Sequence, residues 1–360
     1  MPLSISRVMG NHTGAVSRAS WTRDGRYVMT CGHDKTIRLW NPNRSAPDTA
    51  PDASRRSSEN NDFRESALEV KVYSGPHSHE VAQVAIAADN ARFASCGGDR
   101  ACFLWDVTTG SVTRRFEGHT QRINDCAFAC DEDTVLLTAS YDRTVRCWDL
   151  RSRSRDPIQI LKDFRDSVTS VCATNYEIIS GCVDGSVRVY DLRAGQCRVD
   201  ELSSGRETAG AFQRIVTSTS LSHDGKCILA SCTGGKPLDN KTWKPGPRVN
   251  TTATERGGHV PASVVLLEKA TGTLLNTYEG HQHEDYSLQS CLTHTDAHVV
   301  SGCESGAVLV WDLVEGGVIQ RIENAHERAV AGVACHPSQP MLVTCSFDSS
   351  ALLWQGDYCS

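Results

Sequence analysis

Nowhere does the sequence string together the roughly eighteen apolar residues that a membrane-spanning helix needs, so no such helix is expected. The opening MPLSISRVMG lacks the apolar core of a signal peptide, and no export is expected from it. No Cys-x-x-Cys pair occurs, which removes the usual signature of a zinc site or a thioredoxin-like centre. A phosphate loop is missing as well: Gly234 to Pro237 reads Gly-Gly-Lys-Pro, without the spacing or the Ser/Thr that would hold a phosphate. There is no metalloprotease His-Glu-x-x-His pair. Basic charge is not in excess either, since the formal net charge is -6, so a nucleic-acid backbone meets no global field and any RNA contact would be local.

What is present points to a folded chain. A hydrophobic share of 39% with 22% charge is that of a globular protein with a sizeable core, and it excludes disorder of the whole chain. The sixteen cysteines fall mostly in strand-like runs, such as Cys31 in YVMTCG, Cys96 in FASCGG, Cys147 in VRCW and Cys345 in LVTCS. Free cysteine behaves as a small buried hydrophobe, which fits a reducing compartment; the expected location is cytoplasmic, and also nuclear.

Comparison of the chain with itself reveals one recurring phrase: Gly-His, a strand, a turn, a strand ending in Ser/Thr, an Asp turn, and a strand ending in Trp-Asp. That is the signature of a propeller blade. Blade ends fall at Trp40, Trp105, Trp148, Tyr190, Leu267, Trp311 and Trp354, seven in all. The fold expected is therefore all-β, a single seven-bladed WD-repeat β-propeller over residues 1–360. Each blade is a small antiparallel sheet that cannot bury both faces alone, so the blades stack around a channel. The last blade lacks an outer strand, and the alternating segment from Leu3 to Met9 is expected to supply it and close the ring.

The same polar residues recur at fixed spacing. The turn Asp lies six residues before the aromatic at Asp34, Asp99, Asp142, Asp184 and Asp348, and four residues before each comes a hydroxyl at Thr30, Ser95, Thr138, Ser180 and Thr344. A histidine opens most blades, at His12, His77, His119, His281 and His326. His, Asp, Ser/Thr and Trp at this spacing form a hydrogen-bonded chain across a blade. A catalytic Ser-His-Asp triad would be singular, and this set repeats. The sets His12, Thr30, Asp34, Trp40; His77, Ser95, Asp99, Trp105; His119, Thr138, Asp142, Trp148; and His326, Thr344, Asp348, Trp354 are therefore read as structural. The pairs His77/His79 and His281/His283 suggest a metal, but one histidine of each is accounted for by the blade. No cofactor, metal or small-molecule substrate is expected.

The pattern breaks in three places. Blade 4 opens with Asp163-Phe164-Arg165-Asp166, blade 6 has Ser305 in place of the turn Asp, and blade 5 ends in Leu267-Glu268. Blade 5 also carries an insertion at 234–261, rich in Gly, Pro and basic residues, with Trp243 as an aromatic anchor if it serves as a binding flap. A second insertion, 42–67, follows the third strand of blade 1 and reads as disordered; its Arg55-Arg56-Ser57-Ser58 forms a basophilic kinase site at Ser58.

More specific runs are GHQHEDYSLQSCLTHTDAHVVSGCESGAVLVWDLVEG, TCGHDKTIRLWNP, GGDRACFLWDV, RCWDLRSRSRDPIQIL and VDGSVRVYDLR. Through these the chain resembles the mitogen-activated protein kinase organizer proteins, over nearly all its length except the two insertions. The resemblance implies a non-catalytic scaffold for kinase-cascade components, and this family has also been associated with the spliceosome. The boxes Trp148-Asp149-Leu150-Arg151 and Tyr190-Asp191-Leu192-Arg193 resemble those of substrate receptors of cullin-RING ubiquitin ligases, although such arginines equally brace a blade edge. The partners expected are proteins, docking on the face that carries the blade-opening loops and Asp turns: His33, Tyr141 and Phe347 just before the turns, Arg122 and Asn124 after His119, and Glu284 and Tyr286 after His281. A second docking segment is Arg153-Ser154-Arg155-Asp156-Pro157-Ile158-Gln159-Ile160, basic then apolar like a kinase-docking peptide. Ile158 and Ile160 also fit the alternation of an outer strand in blade 3, where one face is buried, and there both would face the core.

Overall fold

A computed structural model describes residues 3–46, 65–129, 133–202, 212–234, 236–237 and 261–356. Short strands with alternating or continuous apolar runs pair with their sequence neighbours into four-stranded antiparallel sheets. Blade 2 spans 81–117, blade 3 spans 123–161, blade 4 spans 168–201, blade 5 spans 216–279 and blade 6 spans 290–322. The remaining sheet has eight strands and comprises two blades, the first over 16–73 and the seventh over 330–355 together with Ser4–Met9. The described residues contain no helix.

The innermost strands are Val16–Trp21, Val81–Ile86, Ile123–Ala129, Val168–Ala173, Val216–Leu221, Ser290–Leu292 and Val330–Cys335. Each touches the next, and the last touches the first, so seven blades close a ring around a channel. The apolar cores lie between blades. Trp148, for example, is buried with Leu136 and Ile123 of its own blade against Ala94, Cys96, Leu104 and Phe116 of blade 2. Trp40, Trp105 and Trp354 likewise pack on the blade that precedes them. Cys31, Cys96, Cys102, Cys147 and Cys345 are buried thiols in these layers, where a larger side chain would force the sheets apart.

Ring closure follows the expectation and extends it. Ser4–Met9 pairs antiparallel with Ala351–Gln355 and so completes blade 7. Its other edge pairs in parallel with the outer strand of blade 1, Arg7 opposite Glu65 and Val8 opposite Ser66. One strand therefore joins the last blade to the first.

That second pairing corrects the boundaries of the 42–67 insertion. The third strand of blade 1 runs on as Ile37–Ser45 and the outer strand begins at Glu65, so both ends of the segment are ordered strand. The reason is electrostatic as well as apolar: the Glu65 carboxylate accepts from Ser45 Oγ at 2.7 Å and from Arg7 Nη2 at 3.3 Å, while Ala67 is buried in the core. Ser58 lies outside the described residues, as does Trp243. Near its start the blade 5 insertion has a two-residue strand, Lys236–Pro237, paired with Phe212–Gln213.

Candidate functional site

In blade 3 the four spaced residues converge. His119 sits in the loop before the inner strand, Thr138 on the second strand Val135–Ser140, Asp142 in the following turn, and Trp148 on Val145–Asp149. Trp148 Nε1 donates to Thr138 Oγ1 at 2.9 Å, His119 Nε2 lies 2.8 Å from the same hydroxyl, and His119 Nδ1 lies 2.8 Å from Asp142 Oδ2. With the hydroxyl donating to Nε2 and Nδ1–H donating to the carboxylate, every member has a partner. Blades 1, 2 and 7 repeat the arrangement with links of 2.6–2.9 Å.

These chains are closed to substrate. Thr30, Ser95, Thr138 and Thr344 have no exposed surface, and each hydroxyl already bonds both a histidine and a tryptophan. Burial pushes the Asp99 carboxyl up, but hydrogen bonds from Ser78 and His77 outweigh it and hold the group at about 2. Asp348 is held at about 2 against burial by His326 and Ser350. Asp34 and Asp142 are depressed in the same way by His12 with Thr36 and by His119 with Thr144. The carboxylates are thus fixed in their charged form, as structural caps require.

The irregular blades use other means. In blade 4 Phe164 takes the place of the histidine, and Arg188 Nη2 reaches Asp184 Oδ2 at 2.8 Å while its guanidinium stacks 5.0 Å from the Phe164 ring. In blade 6 His281 has no hydrogen-bond partner on either ring nitrogen among the described residues, and Trp311 Nε1 donates to the Glu279 carbonyl instead. Burial, with His283 adjoining, lowers His281 to about 3, so it is neutral. Among the described residues no group of three or more His, Cys, Asp or Glu is placed to hold a metal.

The open chemistry is at the channel mouth. A cavity of about 390 Å³ there is lined by His33, Arg122, Asn124, Tyr141, Tyr286 and Phe347 among others. Tyr286 meets Phe347 edge-on with ring centres 5.0 Å apart, His33 lies 6.0 Å from Phe347, and the Arg122 guanidinium sits 5.4 Å over the Tyr141 ring. Tyr141 and Tyr286 remain 51% and 48% exposed, far more than turn packing requires. Two of the expected residues act differently. Asn124 donates to the Val168 carbonyl at 2.6 Å and to Ser167 Oγ at 3.1 Å, so it ties blade 3 to blade 4. Glu284 does not line the cavity; its neighbour Asp285 does, because the Glu304 carboxylate gathers the amides of residues 284, 285 and 286 and turns the loop.

Similarity to known proteins accords with this ring. The family model for the WD domain, G-beta repeat, matches residues 4–41, 69–106, 110–149, 155–191, 272–312 and 317–355, most of the chain. The chain belongs to the WD-repeat family. The unmatched stretch between 191 and 272 holds the first three strands of blade 5, the blade that ends in Leu267-Glu268. Along nearly its whole length the chain is similar to WD repeat domain-containing protein 83 of Rattus norvegicus, 37% identical over 92% of this chain and 85% of that one. The Homo sapiens protein of the same name is 36% identical, over 95% and 89%. A Dictyostelium discoideum homolog is 26% identical over 98% of both.

Several residues that brace this WD-repeat ring carried no periodic signal. Asp125, half-buried on the channel wall, accepts from Gln83 Nε2 of blade 2 at 2.9 Å and from the Val171 amide of blade 4 at 2.8 Å. Burial, with the Cys126 sulfur adjoining, pushes its carboxyl up to about 7 against those two donors and the Arg18 charge. Arg18 of blade 1 donates to the Ala331 carbonyl of blade 7 at 2.8 Å and to Ser287 Oγ at 3.2 Å. Arg114 of blade 2 donates to the carbonyls of Asp149, Leu150, Ser152 and Ser154, which shapes the loop that begins the Arg153–Ile160 segment.

In that segment the outer strand is only Gln159–Leu161. Leu161 is the buried residue, Ile160 is half-buried, and Ile158 is 60% exposed. The expectation that Ile158 would face the core is therefore corrected: its amide bonds the Cys147 carbonyl at 2.8 Å while its side chain points to solvent. The two aromatic-Asp-x-Arg boxes are closed on themselves, with Arg151 3.5 Å from Asp149 and Arg193 3.7 Å from Asp191 and stacked on Tyr176.

Proposed function

We propose that the chain is a non-catalytic scaffold that assembles components of a mitogen-activated protein kinase cascade through the channel mouth, in the cytoplasm and also the nucleus. The observation that carries the binding face is the contrast between two sets of side chains. The Ser/Thr, His and Asp side chains of blades 1, 2, 3 and 7 are sequestered and bonded to one another, whereas Tyr141, Tyr286 and Arg122 form an exposed cluster at one rim. Aromatic and arginine side chains at the lip of a cavity bury much area at small entropic cost, as binding anchors do. The WD-repeat family membership supports protein binding in general, and the sequence's likeness to kinase organizers supports the partner class. The segment from Arg153 to Ile160 supplies a second contact, because Arg153, Arg155 and Ile158 are all exposed on one loop.

Purification of the tagged protein from cells tests the partner class. Kinase-cascade components are expected in the recovered complex, and their yield should fall in the Arg153→Glu, Arg155→Glu variant. Recovery of spliceosomal proteins alone would replace the kinase reading by one in pre-mRNA splicing. Unchanged kinase recovery in the variant would remove the second contact and leave the mouth as the site.

A further inference from the structure

We infer that the channel mouth docks an acidic peptide segment carrying an apolar side chain, with its carboxylates over the rim of blades 1 to 3. The inference rests on the mouth being the partner face. Lys35, Arg100 and Arg143 each follow the turn Asp of their blade and are exposed. They hold a left-handed backbone, with φ of 64°, 59° and 64°. The corresponding residues of blades 4 and 6 are Gly185 and Gly306, with φ of 80° and 84°. Glycine adopts this conformation freely and a side chain does so at a cost, so three successive blades keep a cation where the backbone favours none.

Those three cations and Arg122 have no carboxylate within ion-pair distance among the described residues. Elsewhere in the molecule Arg7, Arg38, Arg92, Arg188 and Arg198 each hold one. An unpaired row of cations steers an anionic partner and fixes its orientation. Across the cavity the sign reverses at Asp285, whose amide bonds the Glu304 carboxylate, while Glu80 beside blade 2 is the other carboxylate that lines the cavity among the described residues. A nucleic acid, charged along its whole length, would meet that acidic side, whereas a peptide confines its carboxylates to one stretch. Between the two arcs lie Tyr286 and Phe347, 5.0 Å apart, where an aromatic or aliphatic residue of the peptide seats.

Selection of a random peptide display library on the full-length protein tests the inference. The peptides enriched should carry several Asp or Glu and one large apolar residue. A fluorescent peptide of the selected sequence should lose affinity by about tenfold or more between low and high salt, as screening of exposed charges demands. Binding should vanish in the Lys35→Glu, Arg100→Glu, Arg122→Glu, Arg143→Glu variant and weaken in the corresponding Gln variant, which keeps the fold if the reversal does not. Neutral or basic peptides, binding unchanged in the Gln variant, or displacement of the peptide by polyuridylate would overturn it. If peptides are lost with Tyr286→Ala, Phe347→Ala yet indifferent to the charge variants, the mouth remains the partner face and only the acidic preference fails. If no mouth variant alters cellular partner recovery, the underlying reading fails instead.

Discussion

Blades 3 and 6 are the same sheet built with and without an internal polar chain. In blade 3, His119 is held at both nitrogens and ends in the Asp142 carboxylate, while in blade 6 His281 is equally buried yet has no hydrogen-bond partner among the described residues: Ser305 stands where the acid should be, and the Ser301 hydroxyl donates to the Gly302 carbonyl. Blade 6 nonetheless keeps four strands and a fully buried Trp311. The difference teaches that the chain is an added brace, and that apolar packing between neighbouring blades is what gives each sheet its place.

The sharpest break of that comparison is blade 7, which has the full chain His326–Thr344–Trp354 but borrows its outer strand from the N-terminus. Deletion of residues 1–10 should leave the chain's residues intact and still yield aggregation or rapid proteolysis, because two strand edges are exposed at once. A soluble truncation as protease-resistant as the full protein would show that closure needs no strand. Within blade 3, Asp142→Ala strands His119 and should destabilise the protein by roughly 1 to 3 kcal/mol in thermal or urea unfolding. An unchanged midpoint would mean that the hydrogen bonds contribute nothing net.

Acid should separate the two kinds of blade. The aspartates of the chains have folded pKa values below their ordinary range, Asp99 and Asp348 at about 2, so their contribution is present above about pH 4 and is lost only as pH falls toward 2. His281 and His283 are lowered to about 3 and about 4, both chiefly by burial. The unfolded chain takes up these protons below about pH 6.5 while the folded chain does not, so stability should fall by about 1.4 kcal/mol per pH unit for each histidine as pH drops from there. His281→Phe should flatten the pH 6 to 4 limb of a urea-midpoint profile, and an unaltered slope would contradict the assignment. Ser305→Asp gives the smallest effect. It offers His281 the missing acceptor and should stabilise by at most about 1 kcal/mol; a loss of stability would show that blade 6 has repacked around the gap, as Cys303, which accepts from Gln282 N and from Ser305 Oγ, suggests it has in part.

The polar chains were legible because all four members lie within one blade at fixed spacing, so sequence distance alone brings His119 to Asp142. Asp125, Arg18 and Arg114 were not, since their partners sit on neighbouring blades and recur at no fixed interval. The insertion after Trp40 was misjudged at both ends for the same reason: whether Ser45 and Glu65 join the sheet depends on Arg7, far away in the chain. At the mouth, His33, Tyr141 and Phe347 were legible from their place just before the turns and Tyr286 from its place after His281, whereas the role of Asn124 depended on a carbonyl of the next blade.

The central claim is that buried chains hold the ring and the exposed rim binds partners. The most direct measurement is a paired one on the Tyr141→Ala, Phe347→Ala, Arg122→Ala variant: its unfolding midpoint and its recovery of cellular partners. Arg122 lies over the Tyr141 ring, and Phe347 meets Tyr286 and His33, all at the rim. The midpoint should stay close to that of the wild type, within the small range usual for surface substitutions, while partner recovery is lost. Normal recovery by a folded variant would contradict the claim and move the binding face elsewhere on the ring.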